Sequence, residues 1–151
     1  IPSLALFAFL VPITGLTLLT AEIGLVGYTL LILVRNMVAG IDGVAVHVRE
    51  AADAMGYTPW RRFLAVDVRL ATPTIVAGLR IAAVTTIGLV TVTALIGQGG
   101  YGALINDGLS RSFSTPIVVG ATLSIALAIV VDLLLLGAER LLTPWARAGR
   151  R

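Results

Sequence analysis

The chain has 151 residues, 58% hydrophobic and 13% charged, and its net charge of +3 owes its basic side to arginine alone. Soluble domains are about half apolar and about a quarter charged, so a mean hydropathy of +1.00 marks a membrane composition. With no cysteine there is neither a disulfide framework nor a thiolate metal site, and the lone His47 excludes a histidine metal cluster.

The sequence begins Ile1-Pro2-Ser3, apolar from the outset, without a basic leader or a small-residue cleavage site. That is the pattern expected of a longer chain entered part-way, truncated at its N-terminus. Four apolar segments predict spans over about 1–19, 23–38, 75–96 and 116–137. The first is interrupted by Pro12 and Gly15, and Thr20-Ala21-Glu22 is the expected turn into the second. One broken or re-entrant pair is the alternative for these two. At about 1.5 Å per residue, the third and fourth segments each reach roughly 30 Å, the thickness of a hydrocarbon core. The predicted fold is therefore an all-α, multi-pass transmembrane helical bundle.

Between the second and third spans lies the longest polar stretch, the loop 39–74. Asp42 is placed to cap a helix starting at Gly43, its carboxylate accepting from free backbone amides. Val44, Val48, Ala51, Ala52 and Met55 recur on one face of that helix, while Arg49, Glu50 and Asp53 decorate the other. Gly56 suits the left-handed position that ends a helix, and Thr58-Pro59 supplies a cap and first position for another. In that second helix Trp60, Phe63 and Leu64 form an apolar ridge beside Arg61 and Arg62.

Two ionisable residues lie inside the later spans, Arg80 and Asp132, and intramembrane charges are functional candidates. Asp132 continues a seam of Gly120, Ser124 and Ala128 at i+4 spacing, suited to helix packing. An Arg80–Asp132 ion pair is expected; independent snorkelling of each side chain to the interface is the alternative. The glycine-rich run Gly97-Gln98-Gly99-Gly100-Tyr101-Gly102 lacks the Gly-Lys-Ser/Thr ending of a phosphate loop. Tyr28, Tyr101 and Trp145 suit membrane interfaces. No nucleophile–base pair is visible, so the chain is not read as an enzyme. No cofactor and no nucleic-acid partner are expected, and no substrate-binding residues are assigned.

Arginine placement orients the bundle. Arg35, Arg49, Arg61, Arg62 and Arg69 belong to the central loop region, and Arg140, Arg147, Arg150 and Arg151 come after the last span. Only Arg111 lies in the connection between the third and fourth spans. Arginine-rich loops stay in the cytoplasm, which places the central loop and the basic tail 143–151 there and 97–115 outside.

The run Glu50-Ala51-Ala52, then Gly56, resembles the EAA loop of binding-protein-dependent ABC importer permeases. That pattern continues with Ile-x-Leu-Pro, where this chain has Val66-Asp67-Val68-Arg69; the proline becomes Arg69, and one appears only at Pro73. Without the earlier break, the second loop helix is expected to run on to about Ala71. Ile1-Pro2-Ser3-Leu4-Ala5-Leu6, Val34-Arg35-Asn36, Ala77-Gly78-Leu79-Arg80-Ile81 and Leu95-Ile96-Gly97-Gln98-Gly99-Gly100-Tyr101-Gly102 look like the permeases for glycine betaine, choline and related osmoprotectants.

This resemblance implies a type I importer permease core over 1–142 in the bacterial inner membrane. It implies coupling to a separate cytoplasmic ATPase through Glu50, Ala51, Ala52, Gly56 and Arg61, with Ala51 and Ala52 keeping the helix slim. It further implies an external substrate-binding protein and a second permease subunit, either a copy or a paralogue, in the lipid bilayer. Methionine is the alternative cargo, and an ion-coupled secondary transporter using Asp132 is the rival mechanism.

Overall fold

The computed structural model describes residues 3–142, and these are helical with no strand among them. The order is α1 (Ser3–Thr14), α2 (Leu18–Asp42), α3 (Val46–Ala54), α4 (Pro59–Arg62), α5 (Val68–Val92), α6 (Tyr101–Ser110) and α7 (Ser114–Leu142). A π-helical turn, Phe63–Asp67, joins α4 to α5, and a 3₁₀ turn, Thr93–Ile96, ends α5. The helical run Pro59–Ile96 is thus unbroken across 38 residues. Helices suit this composition because, away from water, the backbone must satisfy its own hydrogen bonds.

Among the described residues, three helices are long and apolar enough to cross a membrane: Leu18–Asp42, Pro59–Ile96 and Ser114–Leu141. The 12-residue α1, with Pro12 inside it, is not; at about 1.5 Å per residue it covers only roughly 18 Å. The break before α2 also falls earlier than the sequence suggests, at Gly15 to Thr17, leaving Thr20, Ala21 and Glu22 inside α2. Gly15 takes the left-handed φ of 73° that ends α1. Thr17 then caps α2, its Oγ1 accepting from the Thr20 amide at 3.4 Å. Thr20 is fully buried. Its hydroxyl donates to the Gly15 carbonyl at 2.6 Å and lies 2.7 Å from the Thr14 hydroxyl. Thr20 therefore closes the turn from within the following helix rather than forming it.

The chain divides into two compact units. The first comprises Ile1–Leu31 and Ala82–Leu134. Its apolar centre is Phe7, Ala21 and Ile96, with Val11 and Val92 packed against them. Gly24 leaves the space that the Phe7 ring fills. The hydroxyls of Thr29 on α2 and Thr86 on α5 meet at 2.7 Å. Each also reaches the carbonyl four residues back in its own helix, so no polar atom is stranded in apolar surroundings. After the 3₁₀ turn, Gly97 and Gly100 adopt positive φ, and α6 folds back so that Gly102 lies against the Thr91 backbone. Gly120 of α7 approaches the Tyr101 carbonyl in the same way. The i+4 seam read from the sequence begins at that contact.

The second unit, Ile32–Ile81 with Leu135 onward, holds the polar loop. Gly40 on α2 sits against Ala71 and Thr74 of α5, and Gly78 accommodates the Asn36 side chain. Small residues on both helices thus let them approach closely beneath the loop.

Gly102→Val should destabilise the protein by about 1–3 kcal/mol, because a branched side chain meets backbone rather than a movable side chain. Gly137→Ala, with open space around its site, should be neutral or mildly stabilising. Thermal unfolding in detergent checks both, and equal melting temperatures for the two variants would contradict the packing described.

Candidate functional site

Helix α3 begins at Val46, and its cap residue Ala45 makes no side-chain capping bond. Asp42 is the last residue of α2 rather than a cap for α3. The reason lies in the backbone: the Gly43 amide bonds the Ala39 carbonyl and the Val44 amide bonds Ile41, which prolongs α2 through the expected start. Val44 and Ala52 are buried and Val48 is half-buried. Ala51 and Met55 are exposed, so within α3 the apolar residues turned inward are Val48 and Ala52, one turn apart. Glu50 is exposed beside Ala51. Ala52 faces inward, 1% exposed, and its small size serves close packing there.

The end of α3 agrees with the sequence pattern. Gly56 has φ 80°. Its amide bonds the Asp53 carbonyl at 2.9 Å and the Tyr57 amide bonds Ala52 at 3.2 Å. These paired bonds form a Schellman motif, which uses the left-handed freedom of glycine. Thr58 then caps α4, its hydroxyl accepting from the Arg61 amide at 3.4 Å, with Pro59 in the first turn. The Arg61 guanidinium lies over the Tyr57 ring at 4.8 Å, and Trp60 stacks on Phe63 at 5.9 Å. Arg61 is exposed, as are Met55 and Trp60 at 69% and 71%. Large apolar and charged side chains thus lie side by side on the outside of the loop.

Behind this surface lies an ion network that sequence spacing does not reveal. Asp67 ends the π turn and is 4% exposed. Arg49 Nε donates to Asp67 Oδ1 at 3.1 Å, while Arg49 Nη2 donates to the Ile41 carbonyl at 2.6 Å. Arg62 Nε, buried without a hydrogen bond, is 3.9 Å from Asp67 Oδ2. Arg62 Nη1 donates to Asp53 Oδ2 at 2.5 Å. Arg49 and Asp67 are 18 residues apart, and no local periodicity joins them. The one available signal is an acidic residue at an otherwise apolar stage of the helix.

Arg69, standing where the resembled pattern has proline, is exposed in a helix that continues past it and through Pro73. The expected end of this helix near Ala71 is not found. It runs directly into the apolar span.

Arg80 Nη1 donates to Glu139 Oε2 at 3.1 Å, both side chains about one quarter exposed. Glu139 is not evident from sequence because the apolar run stops at Gly137, whereas α7 extends to Leu142. Asp132 is half-buried, two turns earlier on α7. His47 is exposed. Trp145, Arg147, Arg150 and Arg151 fall outside the described residues.

Among the described residues, three membrane-length helices with a capped, charged hairpin between the first two give the plan of a multi-pass membrane protein. Residues 1–144 match the family described as binding-protein-dependent transport system inner membrane component, and the chain belongs to that family. Among its relatives is the osmoprotectant import permease protein OsmW of Salmonella typhimurium. Identity is 38% over 149 residues, covering 95% of this chain and 69% of the relative. The glycine betaine/carnitine/choline transport system permease protein OpuCB of Bacillus subtilis is 36% identical over 151 residues, covering 100% and 70%. The ergothioneine transport permease/ergothioneine binding protein EgtU of Helicobacter pylori is 39% identical over 132 residues, covering 87% and 24%. The chain is thus a transport permease component of the inner membrane, similar to permeases of osmoprotectant systems.

Gly56→Ala and Thr58→Ala should each cost about 1 kcal/mol, the first through left-handed strain and the second through loss of a cap. Amide exchange should quicken from Tyr57 to Arg62 while membrane insertion stays intact. Unchanged exchange in both variants would show that these residues do not fix the hairpin.

Proposed function

We propose that this chain is the permease subunit of an ATP-driven importer of quaternary-ammonium osmoprotectants such as glycine betaine, choline and carnitine. The supporting observation is the exposed loop surface of Glu50, Ala51, Met55, Trp60 and Arg61 on a permease whose relatives carry those cargo names. Glycine betaine, carnitine and choline share a trimethylammonium group, which gives one chemical class of cargo.

In this reading the loop and the chain's C-terminal end lie in the cytoplasm, as the arginine distribution favours. Glu50 meets a basic or amide group in a cleft of a separate ATPase, Ala51 keeps the entering edge slim, and Gly56 fixes the turn. Ala52 contributes from within by letting α3 pack closely. Arg61, held over Tyr57, adds a cation at the rim. Arg80 and Asp132 are the candidate intramembrane charges, and Glu139 holds Arg80 in place. An external binding protein delivers cargo, and a second permease subunit completes the pathway. ATP binding draws the two coupling loops together, the helices carry that movement to the pathway, and hydrolysis resets it.

Glu50→Lys and Gly56→Val should insert normally yet abolish glycine betaine uptake in the complete complex, while ATP hydrolysis continues. Wild-type uptake in both variants would refute the assigned role of the loop. For mechanism and cargo, uptake should stop when ATP is depleted with ion gradients intact, and choline should compete with glycine betaine where methionine does not. Uptake sustained by an ion gradient alone would overturn the ATP-driven reading.

A further inference from the structure

Docking alone explains the outward residues of the loop but not the ionic network behind them. Arg49 and Asp53 are four residues apart on α3 and so share a face. They alternate with Arg62 and Asp67 in one run of charges, Asp53 to Arg62 to Asp67 to Arg49. Arg49 has a further partner, the Ile41 carbonyl in the last turn of α2. One side chain of α3 is therefore bonded to the end of each long helix flanking the loop.

The chemistry suits a link that carries load. Guanidinium–carboxylate bonds are short, directional and about twice as strong as neutral ones. The planar arginine fork sends its donors in fixed directions, so Arg49 cannot rotate to keep one partner without disturbing the other. The Asp67 carboxylate is almost wholly buried, and separating a buried charge from its partner is strongly unfavourable. The three elements are thus constrained to move together.

The π turn takes part in this arrangement. It holds one residue more than an α-helical turn, and each residue added rotates the rest of the helix by about 100°. It ends on Asp67, so it sets the face from which that carboxylate meets Arg49.

We infer that Arg49 and Asp67 are positioning residues that transmit a displacement of α3 to both α2 and α5. The inference rests on the coupling-loop reading of the proposed function. It adds the route by which a movement at the loop surface enters the membrane helices.

The test is hydrogen–deuterium exchange on the complete permease–ATPase complex, with and without ATP, comparing wild type with Asp67→Asn and Arg49→Lys. In wild type, ATP should change exchange in α3, in the last turns of α2 and in the first turns of α5. In Asp67→Asn the change in α3 should persist while those in α2 and α5 are lost. Arg49→Lys retains the charge but lacks the fork for both partners, and should lose the response in at least one of the two helices. A merely structural role would raise exchange equally with and without ATP, leaving the ATP-dependent difference intact, and that result overturns the inference. If Asp67→Asn does not assemble, Arg49→Lys decides by the same criterion. Absence of any ATP response in wild-type α3 would instead sink the coupling-loop reading itself.

Discussion

A carboxylate removed from water needs a partner, and Asp67 finds it in Arg49, 3.1 Å away. The geometry of the polar loop is dictated by meeting that need. While it holds Asp67, Arg49 also gives its second donor to the Ile41 carbonyl at the end of α2. Asp67 faces Arg49 from the last position of the π turn at Phe63–Asp67, which offsets the helix entering the membrane. With those positions set, α3 turns Ala52 inward and leaves Glu50 and Ala51 exposed, and Val44 is buried in the turn before it. The exposed surface is thus the consequence of a buried constraint.

The same logic runs through the helices themselves. Apolar sequence offers little to specify how two membrane helices meet, because lipid is as apolar as the side chains. Specificity comes instead from residues that are small or that pair hydroxyls. Gly24 receives Phe7, Gly78 receives Asn36, Gly102 meets the Thr91 backbone, and Thr29 meets Thr86. Each unit therefore has defined contacts despite a composition dominated by aliphatic residues.

What is legible in the sequence is what depends on near neighbours. The end of α3 at Gly56 and the restart at Thr58-Pro59 are legible because their bonds close within five residues. The three long helices are legible from apolar length. The break before α2 is misplaced by sequence pattern because two signals compete there. The polar Thr20-Ala21-Glu22 looks like a turn, but Gly15 supplies the left-handed residue and Thr20 is the buried hydroxyl that secures it. Asp42 has the residue type of a cap, whereas backbone bonds carry α2 through it. The Asp67–Arg49 and Glu139–Arg80 pairs span 18 and 59 residues. They depend on how helices pack, which spacing alone does not encode.

Contact between the exposed side of α3 and an ATPase is the central claim, and it can be measured directly. Because the chain contains no cysteine, a single cysteine introduced by Ala51→Cys gives an unambiguous cross-linking site. In membranes containing the complete complex, a short bifunctional reagent should join that cysteine to the ATPase subunit, and Ser112→Cys in the other connection should give no such adduct. An ATPase adduct from Ser112→Cys with none from Ala51→Cys would contradict the account.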